Sequence, residues 1–180
     1  MDWLDTLRQI APPFAVVREM PSAADVKAAE AALNVSLPRD YVAFTTTWGH
    51  AYVGRFFHVF APVPGKGGLV SMSQGVTYAL STLKAHHPRT YTGLVYPEEG
   101  GFLAWGWTDN ADYLGWMVTG SEPDQWPAAV WGEEDGAPEV FDGMGFGQLM
   151  VGIVTGTIHP EAFPDGVWRD LPLTMVPPRD

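Results

Sequence analysis

Carboxylates are the chemically active side chains that stand closest together in this sequence. Glu98-Glu99 and Glu133-Glu134-Asp135 could supply the two carboxylates of a glycosidase or the oxygen ligands of a hard cation. Consecutive side chains diverge in regular structure, however, and the second run lacks the alternate spacing of an EF-hand loop. The favoured interpretation is solvated loop charge that is available to a basic protein.

The histidines and the glycine-rich stretch give no catalytic or metal-binding pattern. His86-His87 has no second ligand pair at metal spacing, and the chain contains no cysteine, so a polar helix end is expected there. A single histidine on a predicted strand, His58, is more typical of hydrogen-bonded structure than of a catalyst. The glycine-rich stretch at residues 65–68 lacks the Ser or Thr that follows the lysine of a P-loop. We therefore predict no enzyme activity, metal or cofactor.

Tryptophan is abundant, with eight residues in the chain. Strand alternation predicts that Trp105 and Trp107 share one face of their strand, and Trp105 and Trp116 are expected to pack in the core. Trp107, Trp126 and Trp131 are predicted to be exposed anchors, because aromatic side chains dominate the hot spots of protein interfaces.

Charge is distributed unevenly between the two halves of the chain. Residues 1–90 carry eight Lys+Arg and six Asp+Glu, whereas residues 91–180 carry two and fifteen, so net charges of +2 and −13 add up to −11. No lysine or arginine occurs from residue 91 to residue 168. Such a surface repels phosphate backbones and anionic lipid, which disfavours nucleic-acid or membrane-surface binding and favours a cationic partner.

The first half of the chain reads as helical. Apolar spacing predicts a short helix within the first ten residues, stopped by Pro12-Pro13. Ser22 and Asp25 form a capping-box pattern for a helix over about 23–33, with Asn34 as its left-handed stop. A helix opening on Pro38 ends at Gly49, and periodicity predicts another over about 74–86.

The second half reads mainly as strands. Residues 55–60, 102–107, 113–118, 128–131 and 139–141 are predicted strands, and the turn at 108–112 is typical of a hairpin. A last helix begins at Phe146 and stops at Gly156, and residues 159–180, with five prolines, are expected to form an irregular tail. The fold class is therefore α+β, a central antiparallel sheet flanked by helices in one domain over residues 1–180.

The N-terminus and the apolar runs bear on location. The acidic start lacks the positive flank and apolar stretch of a signal peptide, and no run approaches the roughly 20 apolar residues that span a bilayer. The absence of cysteine fits a reducing compartment. We expect a cytoplasmic protein that is not integral to a membrane.

Three segments of the chain carry a resemblance to a known family. The first runs from Pro21-Ser22 through Leu37-Pro38 and Asp40-Tyr41 to Gly49. The second comprises residues 103–106 with Asp109, Leu114, Trp116 and residues 126–130, and the third is the closing helix at 146–156. In this order they resemble the SUKH superfamily, which includes a fungal regulator of cell-wall assembly and many bacterial immunity proteins. The resemblance implies an α+β fold and a role in binding partner proteins, which for bacterial members are typically toxins.

These observations lead to an expected function. The chain is expected to be an immunity protein that occludes a cognate toxin, plausibly a basic nuclease, through an acidic surface. Alternatives are a regulatory or scaffolding module of the cell-wall-regulator type and, with less support, a glycan-acting enzyme. The sequence does not indicate an oligomeric state. The predicted partner-binding residues are Trp107, Asp109, Asp112, Glu122, Asp124, Trp126, Trp131, Glu133, Glu134 and Asp135.

Overall fold

Three helices open the chain, which we describe from a computed structural model over residues 2–14 and 19–177. They are α1 (Trp3–Ile10), α2 (Ala23–Leu33) and α3 (Arg39–Trp48). The capping box at the start of α2 is confirmed: the Ser22 side chain accepts from the Asp25 N–H, and the Asp25 carboxylate accepts from the Ser22 N–H. Asn34 follows in the left-handed conformation, with φ 53°, as predicted.

Two further helices contribute most to the core. Helix α4 (Leu69–His86) begins five residues earlier than the predicted residue 74, because Leu69 and Met72 extend the buried stripe of Val76 by about two turns. Helix α5 (Phe146–Thr155) ends at Gly156, which has φ 71° and so needs the freedom of glycine.

The strands are β1 (Ala51–Val53), β2 (Phe57–Val59), β3 (Phe102–Thr108), β4 (Tyr113–Met117), β5 (Ala128–Trp131), β6 (Glu139–Phe141) and β7 (Met175–Val176). Five correspond to predicted strands, with the predicted strand at 55–60 reduced to β2. Strand β1 was not predicted, because its three residues are too few to show a period.

These strands form one antiparallel sheet in the order β6-β5-β4-β3-β2-β1-β7. Its last strand, β7, comes from the segment predicted to be an irregular tail, and a 3-10 helix at Asp165–Arg169 is the second regular part of that segment. Residues 178–180 of the predicted tail lie outside the described residues. The predicted fold class is confirmed: a single antiparallel sheet is flanked by helices.

The two faces of the sheet carry separate cores. On one face, α1, α3 and α5 cover side chains that include Val53, Trp105 and Trp116. On the other face, α4 covers a smaller cluster that includes Phe60, Ala104 and Trp131. Helix α4 is therefore the main helical cover of this second face.

One half-buried carboxylate joins two of the covering helices. Asp40, in the first turn of α3, accepts a hydrogen bond of 2.8 Å from the Gly147 N–H in the first turn of α5. Burial raises the pKa of Asp40 above its ordinary value, which the backbone hydrogen bonds partly offset. Negative charge is favoured at helix N-termini, so Asp40 stabilises both helix starts.

None of the helices described combines the length and apolar character that crossing a bilayer requires.

Candidate functional site

Two acidic loops meet at one end of the sheet. Because β3, β4 and β5 are antiparallel neighbours, the turn after β3 and the loop after β5 lie at the same end. They enclose a cavity of about 640 Å³, lined by Asp109, Asn110, Ala111, Asp112, Gly132, Glu133, Glu134, Asp135 and Ala162. We call this the acidic cavity. It brings together five of the predicted site carboxylates, and its nine described lining residues include no lysine or arginine.

Asp112 holds the acidic cavity together from inside. Its carboxylate accepts the Thr108 hydroxyl at 2.7 Å and the Glu133 N–H at 3.2 Å, and the residue is only 5% exposed. A side chain so buried and so engaged has little surface for a partner. Asp112 therefore positions the two loops, while Asp109, Glu133, Glu134 and Asp135 are exposed.

Glu122 and Asp124 lie away from the acidic cavity. They precede β5 at its other end, so the length of a strand, about 14 Å, separates them from the cavity. Asp124 is also paired with an arginine of α3: its carboxylate accepts the Arg39 N–H at 2.8 Å and Arg39 Nε at 2.5 Å. These contacts lower the pKa of Asp124, and the backbone hydrogen bond has the largest effect. The predicted acidic surface is thus two separate patches, one of them neutralised in part.

Two of the three predicted aromatic anchors are buried. Trp126 is 3% exposed and Trp131 is 1% exposed, so the prediction that they are exposed anchors is wrong. Their indole N–H groups donate to the Gly120 and Asp135 carbonyl oxygens at 3.1 and 2.8 Å, which satisfies the polar atom inside the core. The expected core positions of Trp105 and Trp116 are confirmed.

Trp107 is the predicted anchor that is exposed, at 42%. The prediction that it shares a face with Trp105 is wrong, because the register of β3 against β4 shifts between Ala104 and Gly106. This bulge inserts one residue and sends Trp107 to the α4 face of the sheet. Gly106 permits it, since a Cβ there would lie 2.4 Å from the His58 carbonyl oxygen.

A chain of hydrogen-bonding side chains lies on the same face as Trp107. Glu19 Oε2 is 3.0 Å from His50 Nδ1, and His50 Nε2 is 3.3 Å from His58 Nδ1. The Tyr52 hydroxyl donates to Asp109 Oδ2 at 2.6 Å, and its ring stacks on His58 with centroids 4.4 Å apart. Asp109 therefore connects this chain to the acidic cavity.

Both histidines are held in the neutral form at neutral pH. Burial lowers the pKa of His50, against the opposing effect of Glu19. Burial also lowers the pKa of His58, assisted by the charge of His50 and opposed by Asp109. Each pKa therefore lies below the ordinary value of 6.5, so the pair takes up protons only at a pH below that value.

Sequence reasoning missed most of this histidine chain. The sequence predicts a single structural histidine at His58, whereas the structure places it against His50, which directly precedes β1, and against Tyr52 of β1. The signal available was short: Tyr52 and His58 each stand between two apolar residues, the alternation typical of a half-buried strand. Glu19 is distant in sequence from both histidines, and no local pattern indicated its contact with His50.

This region presents hydrogen-bond acceptors and exposed aromatic surface. Within residues 2–14 and 19–177, no three His, Asp or Glu side chains are grouped so that they could hold a metal ion. Comparison with family models, with curated proteins and with solved structures finds no match for this chain. The geometry of the acidic cavity and of Trp107 therefore carries the functional argument.

Proposed function

We propose that this chain is a cytoplasmic protein-binding module of the immunity type, which neutralises a cognate basic toxin domain by occluding it. It acts by binding rather than by catalysis. The observation that carries the proposal is the convergence of Asp109, Glu133, Glu134 and Asp135 around one cavity whose lining residues include no lysine or arginine. The resemblance of three chain segments to the SUKH superfamily supports the same class of function.

Electrostatics favours a basic partner. Unbalanced negative charge in a concave site concentrates field lines and speeds the encounter with a positive surface. A nuclease holds its anionic substrate with such a surface, so carboxylates placed there would exclude the substrate. An interface of about 800 Å² on each partner is ordinary for complexes of this kind.

Trp107 supplies the apolar contact that charge alone lacks. Trp107 lies two residues before Asp109, which lines the acidic cavity, and 42% of its surface is exposed. Buried aromatic anchors near a charged rim slow dissociation more than additional rim charges do. The proposed interface therefore combines acidic steering with one aromatic anchor.

The experiment is a capture assay with matched charge variants. The triple variant Glu133→Gln, Glu134→Gln, Asp135→Asn removes three exposed carboxylates of the acidic cavity. The control triple variant Asp142→Asn, Asp165→Asn, Asp170→Asn removes three exposed carboxylates elsewhere. Each is immobilised and exposed to lysate of the source cells, and retained proteins are quantified.

The proposal expects the parent and the control variant to retain a basic protein that the first variant loses. Co-expression should then protect cells from that protein with the parent chain and fail to protect them with the cavity variant. Retention of the same protein at equal levels by both variants contradicts the proposed binding surface. Absence of protection despite binding contradicts the immunity role and leaves a scaffolding role.

A further inference from the structure

Hydrogen-bond donors and acceptors fix the tautomers of the two histidines. A carboxylate only accepts, so the Glu19 contact at 3.0 Å places the proton of neutral His50 on Nδ1 and makes its Nε2 an acceptor. His58 Nδ1, 3.3 Å from that acceptor, therefore donates to it. The consequence is that Nε2 of neutral His58 carries a lone pair.

This lone pair faces a second acceptor. His58 Nε2 lies 4.0 Å from Asp109 Oδ1, too far for a hydrogen bond, and both atoms accept. The other carboxylate oxygen of Asp109 already accepts the Tyr52 hydroxyl at 2.6 Å, which orients Oδ1. Two oriented acceptors separated by this distance can both receive N–H groups from one donor placed between them.

Aromatic rings lie beside this pair of acceptors. Tyr52 stacks on one side of His58. Trp107 is the cross-strand partner of His58 on β3, and directly opposed residues of an antiparallel pair have neighbouring side chains. The Trp107 ring is held by Phe60, edge to face at 5.1 Å, and still leaves 42% of its surface exposed.

We propose that His58 Nε2, Asp109 Oδ1 and the exposed Trp107 ring form a binding site for the guanidinium group of one arginine of the partner protein. This guanidinium site deepens the proposed function and rests on it. An arginine presents five N–H donors in a planar fork, stacks on aromatic rings and is less strongly hydrated than an ammonium. The planar group can bridge the two acceptors while its face contacts Trp107.

The same geometry makes the site sensitive to pH. A proton on His58 Nε2 converts one acceptor into a donor and places a positive charge where the guanidinium would bind. The charged and titratable groups around His58 are His50 with Glu19 behind it, Tyr52 and Asp109, and Lys66 lines the cleft next to Trp107. Proton and arginine therefore compete, and the site weakens as the solution becomes acidic.

The test uses two small probes, Nα-acetyl-arginine amide and the uncharged isostere Nα-acetyl-citrulline amide. Binding is followed by the indole N–H signal of Trp107 in ¹⁵N NMR spectra at pH values stepped down from about 7.5, because the pKa of His58 lies below its ordinary value of 6.5. The variants are Asp109→Asn, which keeps an oxygen for the Tyr52 hydroxyl, and the control Asp142→Asn at an exposed carboxylate.

We expect the arginine probe to shift the Trp107 signal with a dissociation constant of about 1 mM, the range of a single small contact. The citrulline probe should bind at least tenfold more weakly, and Asp109→Asn should weaken the arginine probe by about tenfold. Asp142→Asn should leave binding unchanged, and a pH below the pKa of His58 should weaken binding severalfold.

Equal binding of arginine and citrulline, or arginine binding that Asp109→Asn leaves unchanged, overturns the guanidinium site. The backbone NMR spectrum of each variant reports whether it is folded. The second variant is His58→Phe, which removes the Nε2 acceptor and keeps an aromatic ring against Tyr52. Failure of this site is distinct from failure of the proposed function: partner capture that depends on Glu133, Glu134 and Asp135 would persist without it.

Discussion

His58 and Trp107 are directly opposed residues on the antiparallel strands β2 and β3. Tyr52 precedes them in the same transverse row and Tyr113 and Trp131 follow, since each is paired with the next across neighbouring strands. The row lies on the α4 face, and its middle residue, Trp107, is exposed. Asp109 connects this row to the acidic cavity, because it lines the cavity and accepts a hydrogen bond from the Tyr52 hydroxyl.

Replacing Trp107 tests the role of this row in binding. Trp107→Leu should raise the dissociation rate of the captured partner about tenfold, as expected for loss of an aromatic hot spot. Tyr78→Leu is the control, because Tyr78 is 76% exposed on α4 and lies outside the row. The measurement is surface plasmon resonance, and equal dissociation rates for the two variants would argue against an anchor at Trp107.

Asp112 should matter for stability rather than for contact. Asp112→Ala removes the acceptor of the Thr108 hydroxyl and of the Glu133 N–H, and leaving such groups unpaired costs about 2 kcal/mol of unfolding free energy. Urea denaturation measures the loss. Asp142→Ala, at an exposed carboxylate, should change stability by less than about 0.5 kcal/mol. Similar losses in both variants would contradict the positioning role of Asp112.

Two glycines should respond oppositely to alanine. A Cβ at Gly115 would lie 2.5 Å from Phe102 Cζ and 2.6 Å from the Leu103 carbonyl oxygen, so Gly115→Ala should cost about 1–3 kcal/mol. A Cβ at Gly75, inside α4, meets nothing within 4 Å, so Gly75→Ala should stabilise by about 0.5–1 kcal/mol. Thermal denaturation compares them, and a loss at Gly75 would show that the cleft beside α4 is closed.

The buried histidine pair should make stability depend on pH. His50 and His58 have pKa values lowered below 6.5 by burial, whereas in the unfolded chain each returns to about 6.5. Their contribution is complete above the unfolded value and is lost as pH falls through the folded values. The free energy of unfolding should therefore decrease from pH about 7.5 to about 5.5.

Substitution of the pair isolates this effect. The double variant His50→Gln, His58→Gln keeps hydrogen-bonding side chains but does not titrate, so its unfolding free energy should vary less over the same pH interval. Chemical denaturation at each pH provides the comparison. An equally steep decrease in the double variant would assign the pH dependence to other groups.

The sequence predicted the elements with strong local signals and missed those fixed by tertiary contact. The boundaries of α2 followed from Ser22, Asp25 and Asn34, whose side chains and backbone determine caps locally. Strand β7 was not predicted, because its two residues are too few to show a period. Met175 adopts strand structure only by pairing with Val53. The register shift at Gly106 inverted the face of Trp107, although a glycine inside a strand is itself typical of a bulge.

The candidate site was predictable to a similar degree. The sequence allowed four exposed loop charges to be selected, namely Asp109, Glu133, Glu134 and Asp135. The antiparallel order of β3, β4 and β5 brings these charges together. Burial of Trp126 and Trp131 could not be predicted, because it depends on tertiary packing: Trp126 lies in the core cluster of one face of the sheet and Trp131 in the cluster under α4. The Glu19–His50–His58 contacts join segments distant in sequence, so composition and spacing carried no trace of them.

The association rate constant of the captured partner tests the central proposal most directly. It should be measured by stopped flow from about 50 mM to about 500 mM salt, a range over which screening of exposed charges becomes strong. Steering by the acidic cavity predicts an association rate that falls steeply with salt for the parent chain and weakly for the Glu133→Gln, Glu134→Gln, Asp135→Asn variant. An association rate independent of salt, or equally salt-dependent in both proteins, would contradict binding through the acidic cavity.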